Sequence, residues 1–193
     1  MPETSALIVP MPNTDPVVRP LRRAQGAAGD AGMPAHVTLL YPFLEPADID
    51  EGARKALREM FAPYRSFDVT FQHPARADGM LYLPPEPAHA FEALHQQIRN
   101  TWPRLLPYEG RYGAGYTPHL SIAYGDEGRL DPDGVFGPLE AALEAHLPLR
   151  SQARAVWLVV RRDGHWLHQG TFPLQGDAPV YQPGGADAAG SRA

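Results

Sequence analysis

The chain contains no cysteine, which excludes disulfide bonds, a thiolate nucleophile and thiolate metal ligands together. It has one lysine, Lys55, so arginine supplies the other sixteen of its seventeen basic residues. Beside so much Ala, Gly and Pro, that bias reflects base composition before function. No stretch approaches the ~20 consecutive apolar residues that a membrane-spanning helix needs. The first residues, Met1 to Pro12, carry no basic segment ahead of an apolar run, so a cytoplasmic location with no membrane partner is expected. Excess positive charge is also lacking: a net charge of −5 argues against broad binding along a nucleic-acid backbone. A chain of 193 residues suits one domain or two intimate lobes, and such a chain buries roughly 70% of its unfolded surface.

What the chain does contain is a repeat. Residues 35–41 read Ala-His-Val-Thr-Leu-Leu-Tyr and residues 118–124 read Pro-His-Leu-Ser-Ile-Ala-Tyr, with His36 and His119 separated by 83 residues. Each copy alternates apolar residues with a histidine and a small hydroxyl residue, and Val37, Thr38 and Ile122 are β-branched, as in a strand. Residues two apart on a strand share a face. His36 and Thr38 therefore project together, away from Val37 and Leu39, and His119 and Ser121 repeat this against Leu120 and Ile122. The same alternation assigns Tyr41 and Tyr124 to the core face as packing residues.

An imidazole moves protons near neutral pH, and a hydroxyl donates to a phosphoryl oxygen. Two such sets, one per half, imply two lobes facing each other across a shared cleft, with a general acid and a general base on opposite sides of a phosphate. One histidine takes a proton from the attacking oxygen and the other gives one to the departing oxygen. Thr38 and Ser121 hold the non-bridging oxygens, and the motifs alone do not assign the acid and the base. Starting from ordinary imidazoles, activity is expected to follow a bell-shaped pH profile centred near neutrality.

A phosphodiester cleft also wants positive charge. The candidate substrate contacts are Arg22 and Arg23 before the first motif, Arg76 between two strands, Arg111 before the second motif, and Arg161 and Arg162 at a hairpin. Tyr112, Tyr116 and Trp166 are candidates to stack on a base. The other histidines form no constellation: His89 and His95 are expected to face solvent from a helix, and His165 and His168 fall on opposite faces of a strand. A zinc site wants three or four converging ligands, and His36 and His119 supply two, so neither metal nor cofactor is expected. The rival readings are a non-catalytic phosphate- or RNA-binding module and a metallohydrolase using the two histidines as ligands.

The motifs His36-Val37-Thr38-Leu39 and His119-Leu120-Ser121-Ile122, with flanks Pro34 to Phe43 and Tyr116 to Gly125, resemble the 2H phosphoesterase superfamily, which includes RNA 2′,5′-ligase and 2′,3′-cyclic phosphodiesterase proteins. The resemblance spans about residues 5–173, and Ser121 stands where many members have threonine. It implies an α+β fold: two antiparallel-sheet lobes with pseudo-twofold symmetry around a central cleft, helices outside, and no metal requirement. It implies as substrate a nucleotide or RNA end with a 2′,3′-cyclic phosphate or a 2′,5′ linkage, the ligating direction remaining open. A monomer is expected, with residues 1–175 as one bilobal domain.

The remaining pattern supplies the elements. Ala6 to Val9 reads as a strand, and a helix is expected from near Asp15-Pro16. Gly26, Gly29 and Gly32 form a link to the first motif. Helices are expected over Asp48 to Tyr64, Pro87 to Trp102 and Pro138 to His146, the first two on a 3.6-residue apolar period. Ser66 to Phe71 and Met80 to Leu83 read as strands, and Ala155 to Arg162 and His165 to Phe172 as a hairpin turning at Asp163-Gly164. From Gly176 onward no apolar period remains, and a disordered tail is expected.

Overall fold

The computed structural model describes residues 3–24, 32–77, 79–111, 113, 115–125 and 132–175. Gly26, Gly29, Tyr112 and the tail from Gly176 lie outside the described residues. In chain order the elements are β1 (Thr4–Pro10), α1 (Asp15–Ala24), β2 (His36–Leu40), α2 (Glu51–Phe61), β3 (Phe67–Phe71), β4 (Ala75–Ala77), β5 (Met80–Leu83), β6 (Pro85–Glu86), α3 (Ala88–Thr101), β7 (Leu120–Tyr124), α4 (Pro132–Glu144), β8 (Leu149–Ala153), β9 (Ala155–Arg162) and β10 (His165–Pro173). The class is α+β, and every pairing between these strands is antiparallel.

The first motif strand belongs to a four-stranded sheet ordered β10-β9-β1-β2. Two of its strands, β9 and β10, come from the far end of the chain. Asp163 and Gly164, both at positive φ (50° and 80°), make the turn between β9 and β10, a conformation that Asp-Gly adopts readily. One face of this sheet, with Leu7, Val9, Val156, Leu158 and Phe172, joins the main core, where Phe61 of α2 meets Phe172 at 6.3 Å between ring centroids. The opposite face carries a smaller cluster of Ala6, Ile8, Met33, Trp157 and Val159, against which Tyr41 and Trp166 pack. Both faces being covered explains why β9 is buried along most of its length.

The second motif strand lies in a three-stranded sheet ordered β4-β5-β7, and a further sheet is ordered β6-β3-β8. The segment from Met80 to Glu86 links them, because β5 pairs with β7 and β6 with β3. The expected second lobe is thus divided between two sheets, and the lobes are not sequence halves, since β9 and β10 return to the first motif's sheet. Strands β2 and β7 end their respective sheets and lie against each other.

Several element bounds differ from expectation for local reasons. In place of one helix from Asp48, a 3-10 turn over Pro46–Asp48 precedes α2, whose first turn is capped by Asp50 accepting from the Ala53 N–H at 2.8 Å. Helix α4 starts six residues before Pro138, which sits inside it. Among the described residues no helix is long and apolar enough to cross a membrane.

Candidate active site

Each motif histidine is fixed by its own backbone. His36 Nδ1 donates to the Pro34 carbonyl at 2.7 Å, and His119 Nδ1 donates to the Thr117 carbonyl at 2.8 Å. The bond to the residue two positions back is the same in both, and it leaves Nε2 of each ring to exchange a proton with a substrate. Thr38 and Ser121 stand on the same face as their histidines, while Val37, Leu39, Leu120 and Ile122 are buried.

The alternation fails beyond the hydroxyls, and it fails identically in both copies. Leu7 pairs with Leu40 but Ile8 with Thr38, so Leu39 is an extra residue on β2. Leu81 pairs with Ala123 but Tyr82 with Ser121, so Ile122 is an extra residue on β7. These are β-bulges, and each reverses the side on which later residues project. Leu39 and Leu40 are both buried, as are Ile122 and Ala123. Tyr41 and Tyr124, expected on the core face, are consequently carried to the side of the histidines. The sequence does carry a signal for this: two consecutive apolar residues after each hydroxyl break the period of two.

A cavity of about 200 Å³ opens there, lined by Ala6, Arg22, Met33, His36, Thr38, Tyr41, Tyr108, Tyr124 and Trp166. Tyr41 is held edge-on between Tyr108 (6.1 Å between centroids) and Trp166 (5.9 Å), which makes one wall aromatic. On the other side the Tyr124 hydroxyl lies 2.8 Å from Ser121 Oγ. His119 makes an edge contact with Tyr82 at 5.7 Å and lies near enough for its charge to disfavour protonation of His36.

The two imidazoles differ electrostatically. Burial pushes His36 down to about 4, helped by the Arg22 guanidinium and by His119 and opposed by the Pro34 carbonyl. Burial also lowers His119, opposed by the Thr117 carbonyl, by a smaller amount. At neutral pH the free protein holds His36 neutral.

Of the sequence candidates among the described residues, His36, Thr38, Arg22 and Trp166 line the cavity, whereas His119, Ser121 and the rest do not. Arg22 also reaches the Pro34 carbonyl at 3.4 Å. Arg23 and Arg111 are exposed. Arg76 pairs with Glu140, whose carboxyl it holds below the usual range, and Arg162 bonds Glu3 at 2.6 Å. Tyr116 serves the site from behind: its hydroxyl donates to the Thr38 carbonyl at 2.9 Å. His95, expected to face solvent, is 6% exposed; it occupies the position four after Phe91 on the buried face of α3. Its Nδ1 donates to the Leu39 carbonyl at 2.7 Å, and its ring stacks on Tyr116 at 4.1 Å and 10°. The two carbonyls at the β2 bulge are thus both met by side chains from outside the sheet, as edge-strand groups must be. Among the described residues no group of three or more His, Cys, Asp or Glu side chains is placed to hold a metal ion.

The family model for the 2′-5′ RNA ligase superfamily matches residues 10–165. Among solved structures, E. coli LigT complexed with 3′-AMP superposes with a TM-score of 0.57 at 14% identity, covering 91% of this chain and 100% of that one. E. coli LigT complexed with phosphate gives 0.55 at 15%, covering 91% and 99%. TT0787 of Thermus thermophilus gives 0.58 at 15%, covering 91% and 100%. No curated protein matches the chain by sequence.

Proposed function

The chain belongs to the 2′-5′ RNA ligase superfamily, a family of 2H phosphoesterases, and on that premise we propose that it is a metal-independent phosphodiesterase acting on a nucleotide or RNA end that carries a 2′,3′-cyclic phosphate or a 2′,5′ linkage. The observation that carries this reading is the matched fixing of the two histidines, each with Nδ1 on the carbonyl two residues back and a hydroxyl two residues on. That E. coli LigT is known in complex with 3′-AMP and with phosphate supports a nucleotide phosphate as the ligand class.

In the proposed reaction His36, kept neutral by its surroundings, accepts a proton from water as the water oxygen bonds to phosphorus. His119, protonated, gives its proton to the ribose oxygen as the P–O bond to that oxygen breaks. The product is a phosphomonoester beside a free hydroxyl, and exchange with solvent restores both imidazoles. Thr38 and Ser121 offset charge on the non-bridging oxygens, as an oxyanion site does. Arg22 adds positive charge beside His36, and the rings of Tyr41, Tyr108 and Trp166 offer a base a stacking wall. With a ribose hydroxyl in place of water as nucleophile on a cyclic phosphate, the same groups in the same roles form the linkage, and reversal of that step exchanges the roles. A cytoplasmic monomer is part of this proposal.

The test is a screen of the purified protein against 2′,3′-cyclic nucleotides, 2′,5′-linked dinucleotides and tRNA-half ends, with product identification. Turnover of one class to a single regioisomer is expected. Binding without turnover of any of them would replace the enzyme with a phosphate-binding module.

A further inference from the structure

We propose that Tyr124 is the group through which the second motif reaches the substrate: its hydroxyl donates to a phosphoryl oxygen, and Ser121 holds it in place. The inference rests on the phosphodiesterase reading above and changes the assignment of the second hydroxyl within it.

Three observations lead there. The bulge at Ile122 turns Tyr124 out of the core, leaving it 65% exposed, more than the 42% of Leu167, the other exposed large hydrophobic side chain among the described residues. Packing therefore does not explain the ring. Its hydroxyl lies 2.8 Å from Ser121 Oγ, and Tyr124, unlike Ser121, lines the cavity together with His36 and Thr38. Lastly, the equivalent residue in the first motif, Tyr41, is turned by the equivalent bulge but is caged by Tyr108 and Trp166, so only the second copy brings a hydroxyl to its motif partner.

A hydroxyl has one proton and two lone pairs. If Ser121 donates to the Tyr124 oxygen, the phenolic proton is committed to the cavity, from an oxygen 2.8 Å from that of a serine which does not itself line the cavity. Ser121 also lies 3.6 Å from Met80 Sδ, a weak partner that competes little for its proton. The pair then acts as one donor, whereas Thr38 on β2 acts directly. Charge on the phosphoryl oxygens grows in the transition state, so the phenolic donor is worth more to turnover than to ground-state binding.

Tyr124→Phe keeps the ring and removes an exposed hydroxyl, so folding is not at stake. On a 2′,3′-cyclic mononucleotide, Tyr124→Phe should lower kcat/KM by roughly tenfold to a hundredfold, the worth of one hydrogen bond to a charged oxygen, with most of the loss in kcat. Ser121→Ala should lose a similar amount, and the double variant should stay within about threefold of the worse single, because the two hydroxyls are one unit. Thr38→Ala combined with Tyr124→Phe should instead multiply. Inorganic phosphate binding, followed by calorimetry, gives a readout that does not need turnover, and Tyr124→Phe should weaken it. Wild-type turnover that His36→Ala abolishes and Tyr124→Phe leaves intact would overturn the inference and spare the enzyme. A wild-type protein that neither turns over nor binds phosphate would overturn both.

Discussion

Strands β2 and β7 present the same features in the same order: a histidine braced on the carbonyl two residues back, a hydroxyl two residues on, a bulge, and a tyrosine five residues on. Their surroundings differ. β2 is gripped at its bulge by Tyr116 and His95, has Arg22 beside its histidine, and ends at a caged Tyr41. β7 ends at an open Tyr124, and its histidine is less strongly perturbed. Similar local chemistry thus sits in two environments that differ in burial and neighbouring charge, as two carboxylates in one cleft can. The first copy is built to stay neutral and the second to be protonated more readily.

The largest test of that comparison is removal of either imidazole. His36→Ala and His119→Ala should each lower kcat by about 10²–10⁴-fold, the usual worth of a positioned proton carrier. Equal losses would show two proton carriers. The pH profile should then separate them, His36→Ala erasing the acid limb and His119→Ala the alkaline limb. Interchanged limbs would reverse the assignment of base and acid while leaving the pair intact.

Next in size are the hydroxyls. Thr38→Ala should cost roughly tenfold to a few hundredfold in kcat/KM through the loss of one bond to a charged oxygen. A Thr38→Ala loss that does not multiply with that of Tyr124→Phe would mean that the two copies share one phosphoryl contact. Smaller again is the grip on β2. Tyr116→Phe removes one hydrogen bond to the Thr38 carbonyl, about 1 kcal/mol, and should lower kcat about fivefold with little change in KM. Since Tyr116 stands three residues before His119, an unchanged kcat would show that β2 keeps its place without that tie.

The smallest effect is on stability. His36 takes up a proton near pH 4 when folded and near 6.5 when unfolded, so between those values the unfolded chain binds more protons. Stability should therefore be intact above about pH 6.5 and decline as pH falls toward 4. His36→Gln should flatten that decline in Tm, and His119→Gln should flatten it less, matching its smaller shift. Equal flattening would remove the electrostatic difference between the copies.

The parts of this arrangement that follow a strict period are legible in the sequence. Period two places His36 with Thr38 and His119 with Ser121, period 3.6 finds α2 and α3, and Asp163-Gly164 locates the hairpin. The bulges escape such a reading, because strict parity carried through Leu39-Leu40 and Ile122-Ala123 sends Tyr41 and Tyr124 to the wrong face. His95 is misplaced although it continues the Phe91, Leu94, Ile98 stripe, since a histidine on a helix reads as polar until a carbonyl is offered to it. Strand β8 alternates, but Ser151 and Ala153 are too small to mark its buried side. Proline favours a first turn, which puts the expected start of α4 at Pro138, whereas here that residue lies inside the helix. Arg22 cannot be chosen over Arg76 or Arg162 from sequence, since Glu140 and Glu3 meet those two only in the fold.

The central claim is that two histidines of unequal environment act as base and acid on one phosphate. It is tested most directly by kcat/KM on a 2′,3′-cyclic mononucleotide from about pH 3.5 to 9, with and without EDTA. The lowered values of both imidazoles move the expected optimum from neutrality to below pH 6.5. The account predicts a bell with its acid limb near 4 and its alkaline limb below 6.5, unchanged by chelator. A curve that rises to a plateau in alkali, or activity abolished by EDTA and restored by added metal, would contradict it and indicate a metal-bound hydroxide.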